Sequence, residues 1–400
     1  MTSSLRTRSL DETLSLARPL AASLGITRVT DTTWLDGLGI PVFASIRPDA
    51  QSLCVNAGKG ARPMEARVGA YMEAIEFAFA EYRHRQIDVE LYSPRHVSDQ
   101  PSASFRFVDL CPTVGVPLDP DGPLACVEAE DIKTGKAILV PAELVFSPYR
   151  ENPGQQIFGT STNGLCSGNS VDEAVLHGLC EVIERDIRSF NYVRDDSVLV
   201  DMDVMPPEID MIRSRVANFG LTECLRYSPN EFGLPFFAGF IMEPSEDSPV
   251  AIAHGAGVHL VRDIAAVRAL AEAAQSRLSH IHGGRDDLTD RHDYFSRLRT
   301  GSEEQAVARL KSFILSRERT VPFSSLMAGF ETPRGIDSAL ATLVDILASR
   351  GVSQILRVIL TPPGSPLVVV RVIVPKLEHF TPTLKRIGPR LSSHMASAVG

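Results

Sequence analysis

Three helical segments, far apart in this chain, carry acidic side chains inside their apolar stripes, and that placement limits what the chain can fold into. The first segment starts at Pro63 and has Glu73 and Glu76 at i and i+3. The second, over 171–190, has Glu173, Glu181 and Glu184, followed by Arg185. The third, over about 262–281, has Arg268 and Glu272 at i and i+4. Side chains three or four apart share a helix face. Their packing neighbours are apolar: Met72, Ile75 and Phe77, then Leu179, Val182 and Ile183, then Leu270, Ala273 and Ala274. Buried like charges repel, and each is costly to desolvate. A fold that buries them needs a compensating cation. Hard divalent ions such as Mg2+ take carboxylate oxygens and share their shell with waters and substrate phosphates. Arg185 and Arg268 offer forked donors suited to phosphate oxygens. A nucleotide–Mg2+ site is one reading. Ordinary ion pairs on solvated helix faces are the other, and spacing alone leaves the two balanced.

Composition excludes several classes. The chain has 400 residues, 44% hydrophobic and 22% charged, which is ordinary for a globular protein. It is long enough to bury most of its unfolded surface as one large domain or two or three lobes. A formal charge of −9 argues against a nucleic-acid footprint over the whole chain. The six cysteines are scattered without a CxxC pair, which fits reduced thiols in the cytoplasm. No signal-peptide core and no apolar run of membrane-spanning length is present, so no membrane association is expected.

Patterning predicts helices over 10–23, from Pro63 to about Arg85, and over 171–190, 207–218, 262–281, 302–314 and 335–349. Strands are expected within 38–57, in ACVEAEDI and KAILVPAEL, in the pair PFFAGFIME and PVAIAHGAGVHL, and over 353–360 and 367–374. Strands and long helices mix without a regular βαβ period, so the class is α+β. Gly58-Lys59-Gly60 and the NGLCSGN stretch from Asn163 read as glycine-rich turns leading into helices. Such turns can bind anions through backbone N–H groups, but an ordinary strand–helix turn is the commoner case.

No GxxxxGK[ST], GxSxG or HExxH motif occurs. His177, His254 and His259 suit structural hydrogen bonding. Cys166 could serve as a nucleophile, although a single turn cysteine is more often structural. The residues name no catalytic base or nucleophile.

Four stretches in order resemble the YcaO family: GKGARPMEARVGAYMEAIE, STNGLCSGNSVDEAVLHGLCEVIERD, GAGVHLVRDIAAVRALAEAAQSRL with IHGGRDDL, and VVRVIVPKLE. The resemblance implies a YcaO domain over 25–390, preceded by an N-terminal arm over 1–24 and followed by a tail over 391–400. It implies ATP binding without a P-loop, and phosphorylation of a peptide backbone amide oxygen. A nucleophile then attacks the activated carbon to give an azoline, a macroamidine or a thioamide. The family's Mg2+-coordinating glutamates match Glu73, Glu76, Glu173, Glu181, Glu184 and Glu272. Its phosphate and nucleotide contacts match Asn169, Arg185 and Arg268. Cys166 stands at the small residue of the same glycine-rich signature. Arg6 and Thr13 are the counterparts of a basic residue and a hydroxyl in the family's N-terminal arm.

Departures from the family pattern point to a subtype. Gly69 replaces a common serine, and Phe77 stands where an arginine often follows the second glutamate. The resulting MEAIEFAFAE resembles YcaO proteins that work beside a TfuA protein and are associated with thioamide formation. The ending LSSHMASAVG lacks the proline-rich tail typical of azoline-forming cyclodehydratases. A peptide or protein substrate, a TfuA-like or other sulfur-delivery or leader-binding partner, and a homodimer are the expected associations. Two further readings remain open: an azoline-forming cyclodehydratase acting on Cys, Ser or Thr, and a non-catalytic accessory factor for methylthiolation of ribosomal protein S12.

Overall fold

The computed structural model describes residues 4–150, 153–285, 301–326, 330 and 333–399. The first half contains α1 (Leu10–Ser23), β1 (Arg28–Asp31), β2 (Val42–Ile46), β3 (Val55–Lys59), α2 (Pro63–Ala80), β4 (Glu90–Tyr92), α3 (Pro94–Asp99), β5 (Leu124–Asp131), β6 (Ala137–Pro141) and β7 (Leu165–Gly168). Then come α4 (Val171–Val193), β8 (Val198–Asp201), α5 (Pro207–Asn218), β9 (Thr222–Tyr227), β10 (Phe236–Met242), β11 (Ile252–Val258) and α6 (Arg262–His282). The described chain closes with α7 (Ser302–Ile314), β12 (Thr320–Pro322), α8 (Ile336–Ser349), β13 (Leu356–Ile359), β14 (Val368–Ile373) and α9 (Pro389–Val399). The class is α+β, as the patterning predicts. Among the described residues, no helix is long and apolar enough to cross a membrane.

Two compact units divide the chain. Unit 1 comprises Met1–Leu5, Ser9–Ala74 and Asp196–Pro333, and unit 2 comprises Arg6–Arg8, Ile75–Asp195 and Arg334–Gly400.

In unit 1, β1, β2 and β3 form an antiparallel sheet. A second sheet runs β11-β10-β9-β8-β12, antiparallel except for the β8–β12 pair. Ser9 starts α1 with a capping box: its hydroxyl accepts from the Glu12 N–H, and Glu12 answers at the Ser9 N–H. The core gathers Ile209, Ile212 and Val216 of α5 with Phe237, Ile241 and the alanine-rich face of α6. That face lies close on the second sheet because β11 offers no side chain at Gly255. A Cβ there would meet the Ala269 carbonyl oxygen and the Ala273 nitrogen, each at 2.5 Å.

In unit 2, one sheet runs β4-β5-β13-β14-β7, with β6 paired to β5. Helix α4 lies over β7 and β14. Ser170 caps it by accepting from the Glu173 N–H at 3.2 Å.

Two local expectations need correction. Most of NGLCSGN is a strand: Leu165–Gly168 is β7, hydrogen-bonded antiparallel to β14. Its glycines serve close packing as well as turning. Gly164 sits at φ +75°, where a Cβ would run into the Val372 carbonyl. Gly58 likewise belongs to β3. The first long helix also stops five residues early, at Ala80. There the Ser147 N–H takes the Ala80 carbonyl at 2.8 Å, and buried Glu81 turns extended. The short strands β1, β8, β9 and β12 went unforeseen, because runs of three to six residues carry little periodicity.

Candidate functional site

Strand β7 and helix α4 position most of the expected residues within unit 2. The pleat sends Cys166 and Ser167 to opposite faces of β7. Cys166 Sγ lies 3.6 Å from Glu181 Oε2 on α4. Ser167 donates its N–H at 2.8 Å and its hydroxyl at 2.5 Å to Oε1 of Glu76, from the second half of α2. At the head of α4, Glu173 is fully buried. It accepts from the Asn169 side-chain amide at 2.9 Å and from Thr7, whose N–H and hydroxyl approach at 2.8 and 2.7 Å. About two and three turns further along α4, Glu181 faces Arg185 at 3.7 Å, and buried Glu184 faces Arg188 at 3.9 Å.

Unit 1 holds the rest. Glu272 on α6 is paired with Lys59 at the end of β3, at 2.9 Å. Arg268, one turn earlier, is half-buried, and its Nε has no hydrogen-bond partner among the described residues. Glu73 is half-buried on α2. Thr13 is buried inside α1, where its hydroxyl donates to the Ser9 carbonyl at 2.9 Å. Arg6 belongs to unit 2, where it is half-buried. The last three residues of IHGGRDDL lie outside the described residues.

The expected burial of the glutamates holds. Glu173 and Glu184 are buried, and Glu73, Glu76, Glu181 and Glu272 are half-buried. In this state Glu76, Glu173, Glu181, Glu184 and Glu272 each have a protein donor or a basic side chain nearby. Among the described residues, no group of three or more His, Cys, Asp or Glu side chains forms a ready-made metal cage. Magnesium does not demand one, since it usually takes one or two carboxylates and completes its octahedron with waters and phosphates. The donor set here, carboxylate oxygens oriented by hydroxyl, amide and guanidinium groups, is the chemistry such an ion selects.

Three residues escaped the sequence reading. Thr7 was hidden because nothing in a short polar arm signals a partner 166 residues away. Arg371, inside VVRVIVPKLE, is fully buried in β14. It donates to the carbonyls of Val145 at 2.9 Å and Asn163 at 3.0 Å. Burial pulls its pKa down to about 10, against the raising influence of Glu181, Cys166 and Glu76. His379 lines a cavity of unit 2 with Ser161, Asn163 and Arg386. Burial and the charges of Arg386, Arg185, Arg371 and Arg188 hold its imidazole well below the ordinary histidine range, so it is neutral. An arginine within a strand of valines was the available signal for Arg371. His177 and His259 have structural roles: the Ser167 carbonyl lies 3.4 Å from His177 Nδ1, and the Val261 N–H donates to His259 Nδ1 at 3.0 Å.

Comparison with known proteins gives this arrangement a family. Residues 57–378 match the family described as YcaO cyclodehydratase, ATP- and Mg2+-binding. The chain belongs to the YcaO family. ATP and Mg2+ are therefore its family's cofactors. This YcaO chain is 34% identical over 389 residues to an uncharacterized protein of Methanothermobacter thermautotrophicus, covering 96% of this chain and 97% of that one. It is 33% identical over 381 residues to an uncharacterized protein in the tfuA 3' region of Rhizobium leguminosarum bv. trifolii, covering 92% and 87%. It is also similar to the solved structure of YcaO from Methanopyrus kandleri bound with AMPPCP and Mg2+. That match has a TM-score of 0.76 at 25% identity over 97% of this chain and 96% of that chain. A heterocyclase solved in complex with substrate and cofactor shares the fold, with a TM-score of 0.76 at 18% identity over 96% of this chain and 54% of that one.

Proposed function

We propose that this YcaO protein uses ATP and Mg2+ to activate the oxygen of a peptide backbone amide, and that the product is a thioamide made with a TfuA-like partner. The observation that carries the thioamide reading is the relative in a tfuA region, aligned over 92% of this chain. Phe77, in MEAIEFAFAE, points the same way.

In unit 2, Glu76, Glu173, Glu181 and Glu184 are the proposed Mg2+ ligands. Asn169, Arg185 and Cys166 are assigned to the nucleotide, with Arg6 from the N-terminal arm. In unit 1, Glu73 and Glu272 are assigned to metal, and Arg268 and Thr13 to nucleotide. Bound ATP and Mg2+ supply a transferable phosphoryl group and neutralise its developing charge. The chain's own part is orientation. Ser167 fixes the Glu76 carboxylate, Asn169 and Thr7 fix that of Glu173, and the Arg185 fork is suited to phosphate oxygens. An amide oxygen is a weak nucleophile, so alignment supplies much of the rate. The amide oxygen bonds to the γ-phosphorus as the bond to ADP breaks. A sulfur nucleophile then adds to the carbon, and the oxygen leaves with phosphate.

A second reading, azoline formation from Cys, Ser or Thr, draws on the family description as a cyclodehydratase. A third, an accessory role in methylthiolation of ribosomal protein S12, predicts nucleotide binding without peptide turnover. The free cysteines suit a cytoplasmic setting, and a homodimer is the proposed assembly. The test is mass spectrometry of a candidate peptide incubated with this protein, ATP, Mg2+, a TfuA-like protein and a sulfide source. Exchange of one oxygen for sulfur supports the thioamide. Loss of one water instead identifies a cyclodehydratase. ATP consumption that ignores the peptide contradicts both.

A further inference from the structure

Lys59 is the charged residue of the Gly58-Lys59-Gly60 stretch, and the proposed function leaves it unused. Within unit 1 its backbone is closely held. A Cβ at Gly58 would run into the Ala66 carbonyl and the Ala70 nitrogen of α2, and one at Gly60 would lie 2.5 Å from the Glu65 Cβ. The chain is therefore pressed against the start of α2 on both sides of Lys59. Pleating sends Lys59 and Ala57 to the other face of β3, toward α6. There the Gln275 side-chain amide donates to the Ala57 carbonyl, and Leu278 packs with Ala57. One turn back along α6, Glu272 Oε2 takes the Lys59 ammonium at 2.9 Å. Glu272 and Arg268 are rooted over glycines of β11. A Cβ at Gly255 would strike the Glu272 Cβ, and one at Gly257 would come within 3.0 Å of the Arg268 Cβ. The carboxylate is thus fixed at its base, whereas Lys59 reaches it on a flexible aliphatic stem with its side chain 26% exposed. Arg268, one turn from Glu272 on the same helix face, adds a second positive charge, and its buried Nε has no hydrogen-bond partner among the described residues.

We propose that Lys59 is a phosphate ligand of the nucleotide, held on Glu272 until a divalent ion takes that carboxylate. The inference rests on the assignment of Glu272 to Mg2+. One carboxylate oxygen cannot serve an ammonium at 2.9 Å and a divalent ion together, because the two cations repel at that range. Binding of the metal therefore releases Lys59. The nucleotide that accompanies the metal brings phosphate oxygens, and a lysine ammonium binds phosphate as a point charge. Arg268 supplies a fork from the same helix face as Glu272. The ion pair opens at little cost, since partly exposed pairs are weak. Glu272 is thereby neutralised before metal arrives, and the cation that neutralised it is used again on the nucleotide.

The test uses the full-length protein and two measurements: calorimetric binding of a non-hydrolysable ATP analogue with Mg2+, and nucleotide-free Mn2+ binding by electron paramagnetic resonance. Lys59→Met keeps the aliphatic stem and removes the charge. Its affinity for the analogue is expected to fall by about tenfold or more, the loss of a charge-assisted contact. Its Mn2+ affinity without nucleotide is expected to stay equal or to tighten, because a competing cation has gone. Lys59→Arg keeps the charge and is expected to bind the analogue within about threefold of the parent. Lys59→Gln repeats the reading of Lys59→Met should that variant not fold. Unchanged affinity of the folded variant for the analogue overturns the proposal, since a mere surface ion pair would give that result. A matching loss of Mn2+ affinity also overturns it, because Lys59 would then act only by holding Glu272 in place. Glu272→Gln, measured alongside, separates the two levels: unchanged Mn2+ affinity there contradicts the metal assignment itself.

Discussion

Thr7 donates twice to one oxygen of Glu173, its amide at 2.8 Å and its hydroxyl at 2.7 Å. The acceptor is a fully buried carboxylate at the head of α4, and the donor belongs to a short N-terminal segment that joins unit 2. A buried carboxylate is tolerated only when its oxygens are hydrogen-bonded. The arm is thereby part of what lets Glu173 be there. Thr7→Val removes the hydroxyl donor and leaves the amide. It should cost about 1–3 kcal/mol of stability, as for a hydrogen bond to a charged group. Urea denaturation of the variant against the parent checks this, and Thr7→Ser should recover most of the loss.

Glu181 and Glu184 carry the sharpest functional prediction. Replacing either by Gln keeps shape and hydrogen bonding but removes the negative charge a hard cation needs. Mg2+-dependent ATP consumption should fall by at least about a hundredfold, with an unchanged circular dichroism spectrum. Wild-type turnover in either variant would remove that residue from the site.

Arg268 has a buried Nε without a hydrogen-bond partner among the described residues, on a helix assigned to the nucleotide. Arg268→Ala should weaken binding of a fluorescent ATP analogue by about tenfold or more, the effect of losing a charge-assisted bond. Equal affinity in variant and parent would place Arg268 outside the site.

His379 gives a pH dependence with a definite sign. Its folded pKa lies well below 6.5, so the unfolded chain takes up a proton there that the folded chain refuses. The stability linked to this residue is complete above about pH 6.5 and is lost as the pH falls below it. His379→Gln keeps a polar group beside Arg386 and lacks the titration. The difference in unfolding free energy between parent and variant should shift in favour of the variant from pH 7 to pH 5. A constant difference across that interval would show that His379 does not titrate differently on unfolding.

Much of the helical scaffold was legible because burial writes itself as a period. The apolar faces of α4 and α6 recur every three to four residues, and both helices begin where the pattern places them. The acidic residues within those faces were visible for the same reason, as exceptions to the pattern. What stayed hidden was tertiary. β7 looked like a turn because Gly164 and Gly168 resemble turn chemistry, yet they are there to let Val372 and Ala174 come close. No local signal tells a packing glycine from a turning one. The Thr7–Glu173 and Glu76–Ser167 pairs span 166 and 91 residues, beyond the reach of any periodicity. Arg371 could be read as a buried charge among valines, but its partners are backbone carbonyls that only the fold brings to it.

The central claim is that this chain moves a phosphoryl group onto a peptide amide oxygen. The most direct measurement uses a substrate peptide with 18O in the reacting carbonyl, turned over with ATP and Mg2+, followed by mass analysis of the released phosphate. The account predicts that the label appears in inorganic phosphate, one atom for each modified residue. Label retained in the modified peptide or released as water, with unlabelled phosphate, would contradict it.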